Sequence, residues 1–279
     1  MQKKVLAVND ISCVGRCSLT VALPIISSVG LECSILPTAI LSTHTGGFSG
    51  YTFLDMTEEM NKISNHWVTL NRKFDAIYTG FLGSSEQVEV VADIVKKFKG
   101  NNKIIVDPAM ADNGKLYALF DESFPNEMKK LCLLGDYIIP NITEACLLTG
   151  YEYKQNNHTE EYINGLIEAL QKEGMKNIIL TGVSKQEGKI GALCYDYENK
   201  TKCFYDLDII PGYFHGTGDV FASVFTSSLI KGKSLEESMK IAVDITVASI
   251  KETIKYKDVD VKYGVCFEEV LPLLIDKVK

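Results

Sequence analysis

Short apolar runs alternate with longer amphipathic segments along this chain. The runs are 3–8, 34–40, 75–80, 103–107, 136–139 and 177–182. Each ends near Asp, Asn, Pro, Gly or Thr, which predicts brief strands buried on both faces. Between them, helical patterns cover 17–29, 53–65, 85–99, 123–133, 142–149 and 159–174. This alternation predicts an α/β fold, a doubly wound, mostly parallel central sheet with helices on both faces. The pattern then changes. Residues 190–195 and 201–206 flank Asp196-Tyr-Glu-Asn-Lys200, which reads as an antiparallel edge hairpin. Three helices follow, near 217–231, 235–255 and 266–278. Ser234-Leu-Glu-Glu237 is a capping-box pattern, and Gly232 sits where a helix C-terminus favours glycine. With no repeat, linker or low-complexity stretch, residues 1–279 read as one domain.

Ligands of open α/β sheets bind beyond the carboxyl ends of the strands. Those ends here are Asn9-Asp10, Thr43-His44-Thr45, Gly80-Phe81, Asp107-Pro108, Pro140-Asn141 and Thr181-Gly182. Beside them stands His215-Gly-Thr-Gly-Asp219, leading into an apolar helical run. Small residues let the backbone approach an anion, and the first amides of a helix point at it. A carboxylate at that junction can take a proton from a hydroxyl that attacks phosphorus. The plainer reading is a Gly-rich turn with an N-cap Asp.

Three further segments divide in the same way. Asp107 to Tyr117 places Asp107 and Asp112 in a Gly-containing loop that covers a ligand or cation, or is only a turn whose Asp and Asn bond their own backbone. Pro140-Asn141-Ile-Thr-Glu144 is either a capping box or a pair that organises magnesium through water beside phosphates. Thr181-Gly182 offers a hydroxyl to phosphate, or is a strand-to-loop turn.

Composition narrows the classes. Asp and Glu number 36 against 29 Lys and Arg, a net charge of −7, which argues against nucleic acid as a partner. No run of about 18 apolar residues predicts a membrane span, and the start is too short in apolar residues for a signal peptide. The 8 cysteines show no C-x-x-C spacing, so reduced, mostly buried thiols in the cytoplasm are expected.

Together, Asp107-Pro-Ala-Met, Pro140-Asn-Ile-Thr-Glu144 and Gly216-Thr-Gly-Asp219, in this order and at strand ends, resemble the ribokinase-like small-molecule kinases across nearly the whole chain. Ser42-Thr-His44-Thr45-Gly46, Thr79-Gly-Phe-Leu-Gly83-Ser84 and Asp107-Pro-Ala-Met-Ala-Asp112 are closest to the pyridoxal kinase branch of vitamin B6 salvage. The resemblance implies ATP-dependent phosphorylation of the 5′-hydroxymethyl group of pyridoxal, pyridoxamine or pyridoxine. Asp219 would be the base, and the amides of Gly216, Thr217 and Gly218 would stabilise the transferring phosphoryl group. Asp107, Asn141, Thr181 and Gly182 would contact ATP and its phosphates. Glu144 and Asp107 would hold Mg²⁺, partly through water, with K⁺ a candidate second cation. Asp10, Ser12, His44, Thr45, Phe81 and Asp219 would line the substrate pocket, and the stretch from Asp112 to Tyr117 would belong to a closing lid. The family's habit of pairing implies a homodimer.

Asp10-x-Ser12 departs from that branch toward the D-P-S start of hydroxymethylpyrimidine kinases, which typically carry Cys where Asp219 stands. Phe81 replaces a usual Tyr, and the pattern does not explain His215. The alternatives are therefore a hydroxymethylpyrimidine kinase of thiamine synthesis and a non-catalytic nucleotide- or vitamin-binding protein on the same fold. A sugar or nucleoside kinase fits less well, because Gly15 stands without the paired glycine usual after the first strand.

Overall fold

The computed structural model describes residues 2–279. The chain runs β1 (Lys4–Val14), α1 (Leu19–Ser28), β2 (Glu32–Thr43), β3 (Phe53–Asp55), α2 (Thr57–Thr69), β4 (Ala76–Thr79), α3 (Ser85–Lys97) and β5 (Lys103–Val106). A small hairpin follows, β6 (Ala111–Asp112) and β7 (Lys115–Leu116). Then come α4 (Phe124–Cys132), β8 (Tyr137–Ile138), α5 (Ile142–Thr149), α6 (Glu160–Lys172) and β9 (Asn177–Val183). The last elements are β10 (Lys189–Asp196), β11 (Thr201–Asp208), α7 (Thr217–Lys231), α8 (Leu235–Thr253) and α9 (Leu271–Val278).

Nine strands form the main sheet in the order β11-β10-β9-β8-β5-β4-β1-β2-β3. The strands from β2 to β9 along that order pair in parallel. β10 and β11 continue one edge antiparallel, and β3 closes the other edge antiparallel to β2. Side chains of the central strands alternate between two cores. Leu6, Val8, Ile77, Ile104 and Val106 pack with Met60 of α2, Val91 of α3, Leu131 of α4 and Leu166 of α6. Val5, Ala7, Ala76, Tyr78 and Ile105 pack with Ile25 of α1, Phe225 of α7, Ala242 of α8 and Leu274 of α9. This two-sided burial explains why the strands read as unbroken apolar runs.

The predicted architecture is present, with local differences. The segment expected to be helical from residue 53 begins as the short strand β3, and α2 starts at Thr57. The exposed Phe53-Leu54-Asp55 has no alternating burial that would mark a strand. The last helix starts at Leu271 after a 3₁₀ turn, rather than at residue 266. The caps are as read: Ser234 and Glu237 form a reciprocal capping box, and Gly232 ends α7 with φ of 101°. All cysteines are free, and Cys13 is exposed rather than buried.

Two features place the site. First, β1 carries a bulge between Asn9 and Ile11, so Asp10 drops out of the pairing with β2. A bulge re-aims side chains, and both Asn9 and Asp10 become buried. Second, α7 is buried at every position from Val220 to Ile230. Such a helix is held by packing rather than by an amphipathic face, and its N-terminus is delivered to the carboxyl ends of β1, β4 and β5. Phe225 is fully buried in the core that α7 shares with this face of the sheet. Phe225→Ala should lower unfolding free energy by about 3–5 kcal/mol in urea titrations; a loss below about 1 kcal/mol would mean that α7 is not anchored there.

Candidate active site

Gly216 caps α7 in the left-handed conformation, with φ of 75°. A Cβ there would lie 2.1 Å from the carbonyl oxygen of Arg16, so only glycine allows this approach. The Thr217 hydroxyl donates to the Phe214 carbonyl at 3.2 Å and closes the turn. Gly218 faces open space, with nothing within 4 Å of the place a side chain would occupy. The first amides of a 15-residue helix, without helical acceptors, therefore stand beside room for an anion.

Asp219 lies in the first turn of α7. Its Oδ1 accepts from Asn9 Nδ2 at 3.4 Å. Burial, reinforced by the charge of Asp10, raises its pKa to about 7, against the opposing pull of hydrogen bonds from the Ser18 backbone and Asn9. A carboxylate poised there can accept a proton near neutral pH.

Asp107 follows β5. Its backbone amide bonds the Thr79 carbonyl at 2.9 Å, while its carboxylate has no hydrogen-bond partner among the described residues. Burial first, then the charges of Glu144 and Asp219, push its pKa well above the usual carboxylate range. Glu144 is the third residue of α5. Its Oε2 accepts from the Asn141 amide at 2.9 Å, and its Oε1 from the amides of Met110 at 3.1 Å and Ala111 at 3.4 Å. Asn141 Oδ1 accepts from the Glu144 amide at 2.9 Å, completing a capping box. Burial raises Glu144 to about 8 despite those bonds.

The capping box also ties down the β6–β7 hairpin. Asn141 Nδ2 donates to the Ala111 carbonyl at 2.8 Å, and the Gly114 amide donates to Thr143 Oγ1 at 2.9 Å. From the other side, the Tyr213 hydroxyl donates to Asp112 Oδ2 at 3.1 Å. The β6–β7 hairpin is thus linked to the loop that precedes the glycine turn.

Asp10, Asp107, Glu144 and Asp219 take part in no ion pair among the described residues. Buried carboxylates without a counter-charge stay protonated or attract a cation. The donor set fits magnesium in part. Asp107 has free oxygens, whereas Glu144 already accepts backbone bonds on both oxygens and suits a water-mediated role. Among the described residues no group of three His, Cys, Asp or Glu side chains would hold a metal alone. Water and phosphate would complete the shell, as magnesium prefers.

The other expected residues divide. Thr181 pairs its amide with the Pro140 carbonyl at 3.0 Å, and Gly182 has φ of 73° with nothing within 4 Å. Both lie beside Asn141 and open space. Asp10 and Ser12 are buried and bonded to one another at 3.0 Å, and Asp10 also accepts from the Ser18 hydroxyl. They turn toward α1, with their polar atoms already engaged. Both His44 nitrogens are used: Nε2 donates to the Lys262 carbonyl at 2.6 Å, and Nδ1 accepts from the Gly46 amide at 3.1 Å. His44 therefore presents a ring, not a free nitrogen, with Thr45 half-buried next to it. Phe81 lies 5.7 Å from the Phe120 ring, and Phe120 stacks on Phe124. Tyr117 is 6.4 Å from Phe120, on the same aromatic wall.

Sequence reasoning named Asn9, Gly80 and His215 without giving any of them a role. Asn9 joins β1 to Asp219, and Gly80 makes room for it: a Cβ at Gly80 would meet Asn9 Nδ2 at 2.2 Å. A lone Asn at a strand end carries little signal by itself. His215 also gains a place, with its ring 4.7 Å from His44 and 4.9 Å from Tyr213. Burial and His44 hold its pKa below the ordinary value.

A doubly wound sheet, a glycine turn at a buried helix N-terminus and a near-neutral carboxylate beside it define a phosphotransferase that acts on an alcohol. Residues 23–263 match the family model described as phosphomethylpyrimidine kinase, and the chain belongs to that family. Its fold is similar to a Bacteroides thetaiotaomicron structure carrying the phosphomethylpyrimidine kinase name and solved with pyridoxal, at TM-score 0.92 and 38% identity over 98% of this chain and 96% of that one. It is also similar to pyridoxal kinase from Lactobacillus plantarum, at TM-score 0.91 and 28% identity over 99% and 98% of the two chains. The hydroxymethylpyrimidine/phosphomethylpyrimidine kinase of Bacillus subtilis is 28% identical, over 78% of each chain. The ribokinase-like fold and the kinase class expected from the motifs are therefore present.

The raised pKa values have a consequence for stability. A folded carboxyl pKa above the unfolded one favours the protonated fold. The stability it permits is full below the unfolded pKa and is lost as pH rises through the folded pKa. For Glu144 that window runs from 4.5 to about 8, and Asp107 shifts in the same direction. Asp107→Asn removes one such charge without breaking a side-chain hydrogen bond. The ligand-free variant should melt at a higher temperature than wild type at pH 8, with little difference at pH 4. A lower melting temperature at pH 8 would contradict this electrostatic picture.

Proposed function

We propose that this chain transfers the γ-phosphoryl group of ATP to the 5′-hydroxymethyl group of a vitamin B6 vitamer (pyridoxal, pyridoxamine or pyridoxine) in cofactor salvage. The observation that carries the reading is Asp219, placed in the first turn of α7 beside the Gly216–Gly218 turn and raised to about 7 by burial. Asp219 accepts the hydroxyl proton as the substrate oxygen attacks the γ-phosphorus. A new P–O bond forms, the bond to the bridging oxygen breaks, and ADP leaves with that electron pair. The amides of Gly216, Thr217 and Gly218 face the charge that develops on the phosphoryl oxygens. Asn141, Thr181 and Gly182 line the phosphate side.

Mg²⁺, when bound, would neutralise phosphate charge and lower the cost of ionising Asp107 and Glu144. Asp107 would touch it directly and Glu144 through water. K⁺ remains a candidate second cation. The β6–β7 hairpin, tethered through Asp112 to Tyr213, would exclude water during transfer. Phe81, His44 and Thr45 would surround the substrate ring, with Asp10 and Ser12 behind them.

Similarity to a structure solved with pyridoxal supports a B6 vitamer. A second reading, phosphorylation of hydroxymethylpyrimidine, is supported by Asp10-x-Ser12 and by the Bacillus subtilis relative. The aspartate at position 219, where such kinases typically carry Cys, favours the first. A homodimer is proposed as well, and the exposed Phe53 and Leu54 on edge strand β3 are available to pair. Free thiols agree with a cytoplasmic setting, and no helix among the described residues is long and apolar enough to cross a membrane. The net charge of −7 makes nucleic acid a poor partner.

Turnover of ATP with Mg²⁺ against the three vitamers and hydroxymethylpyrimidine tests the reading. The highest kcat/KM should fall on a B6 vitamer, with an acidic limb near pH 7 as Asp219 ionises. Preference for the pyrimidine would establish the second reading instead. Asp219→Asn should lower turnover by more than about 100-fold while ligand binding persists. Near wild-type turnover in that variant would overturn the assignment of the base.

A further inference from the structure

Asn9 occupies a position that strand β1 alone would not require. It is fully buried at the bulge, next to the fully buried apolar run Val5–Val8. Burying an amide costs free energy unless its polar atoms are bonded. Here Oδ1 accepts two backbone amides, from Phe81 at 2.9 Å and from Asp10 at 3.0 Å. Those two donors decide which end of the amide is oxygen. Nδ2 must point the other way, toward Asp219 Oδ1 at 3.4 Å. Gly80 has no side chain where a Cβ would lie 2.2 Å from Nδ2 and 2.7 Å from Cγ. The chain thus clears a notch just past the end of β4 that holds this side chain in one pose.

We propose that Asn9 is a positioning residue for the reaction. Its amide, locked by the Phe81 and Asp10 backbones, fixes the orientation of the Asp219 carboxylate toward the substrate hydroxyl. The inference rests on Asp219 being the base.

The geometry separates this role from simple packing. A carboxylate at a helix start can rotate about its side-chain torsions, and the productive rotamer must aim one oxygen at the hydroxyl proton. Asn9 holds the carboxylate through Oδ1, and the Ser18 backbone adds a second tether. Acidic and titratable groups also face Asp219: Asp10 from β1, Tyr78 from β4, Asp107 from the end of β5, and Cys17 from the turn before α1. None of these is a cation that could take over the task. Apart from the Ser18 backbone, the Asn9 amide is the donor recorded on this carboxylate. At its other end, Asn9 Oδ1 accepts from the Phe81 amide, so one side chain couples the base to a residue beside the substrate ring.

A double-mutant cycle tests the role. Asn9→Ala, Asp219→Ala and the double variant are compared in kcat, in KM for ATP and in KM for the preferred alcohol substrate. Losing a hydrogen bond to a charged group should reduce kcat by roughly tenfold to a hundredfold in the Asn9→Ala variant, with both KM values within about threefold of wild type. In the Asp219→Ala background the same substitution should leave the residual kcat unchanged within about twofold, because its target is gone. An equal fractional loss in both backgrounds would overturn the proposal and make Asn9 a structural support for Phe81. So would a kcat within about twofold of wild type in Asn9→Ala alone. Should Asn9→Ala fail to fold, Asn9→Ser carries the same cycle, since its hydroxyl is too short to reach Asp219. If Asp219→Ala itself keeps near wild-type turnover, the base assignment fails, and this proposal fails with it.

Discussion

The site depends on carboxylates drawn away from water without an ion-pair partner among the described residues: Asp10 and Glu144 are buried, Asp107 and Asp219 half-buried. They come from separate elements, yet Asp107 feels the charges of Glu144 and Asp219, and Asp219 that of Asp10. Removing an ion from water is expensive, and an opposite charge is the usual remedy. This chain instead satisfies its acids with backbone amides and hydroxyls, as at Glu144 and Asp10, or leaves a carboxylate free, as at Asp107. The fold stores an unmet demand for positive charge, and cation-bound nucleotide is a ligand that supplies it.

The scaffold explains how that demand is sustained. α7 is buried on every side from Val220 to Ile230 and packs against the sheet and α8, so it cannot slide away from the acids without exposing that core. The Gly216 turn touches the Arg16 carbonyl, which sets where the helix begins. On the far side, the Asn141–Glu144 box fixes α5 and the β6–β7 hairpin together. The plain and functional readings of that motif are therefore compatible. The same side chains cap the helix and hold the wall of the site.

Much of this was legible in the sequence, for identifiable reasons. Strands buried on both faces leave unbroken apolar runs, and α7 has its expected bounds, 217–231, because glycine marks each end. Glu144 and Asp219 stood out because they follow strand ends or glycine turns. The unread parts depend on contacts between distant segments. β3 is three exposed residues whose strand character comes only from pairing with β2. The β6–β7 hairpin is two residues to a side and is held by Asn141 and Thr143 rather than by its own propensity. The bulge at Asp10 and the fit of Asn9 against Gly80 arise where β1, β4 and α7 meet, which no local pattern records. His44 was expected to line the substrate pocket, but the bond from its Nε2 to the Lys262 carbonyl needs a segment 218 residues away.

The most direct test of the account is the proton balance of nucleotide binding. Isothermal titration at pH 7.5 with Mg²⁺ and a non-hydrolysable ATP analogue, repeated in buffers of different ionisation enthalpy, reads protons released or taken up by the protein once those of the nucleotide are subtracted. At that pH Glu144, raised to about 8, and Asp107, raised well above the usual range, carry protons in the free protein, while Asp219, raised to about 7, is mostly ionised. The account predicts net proton release on binding, diminished in Asp107→Asn. Binding with no proton change, or with uptake, would show that these acids are already ionised and would contradict it.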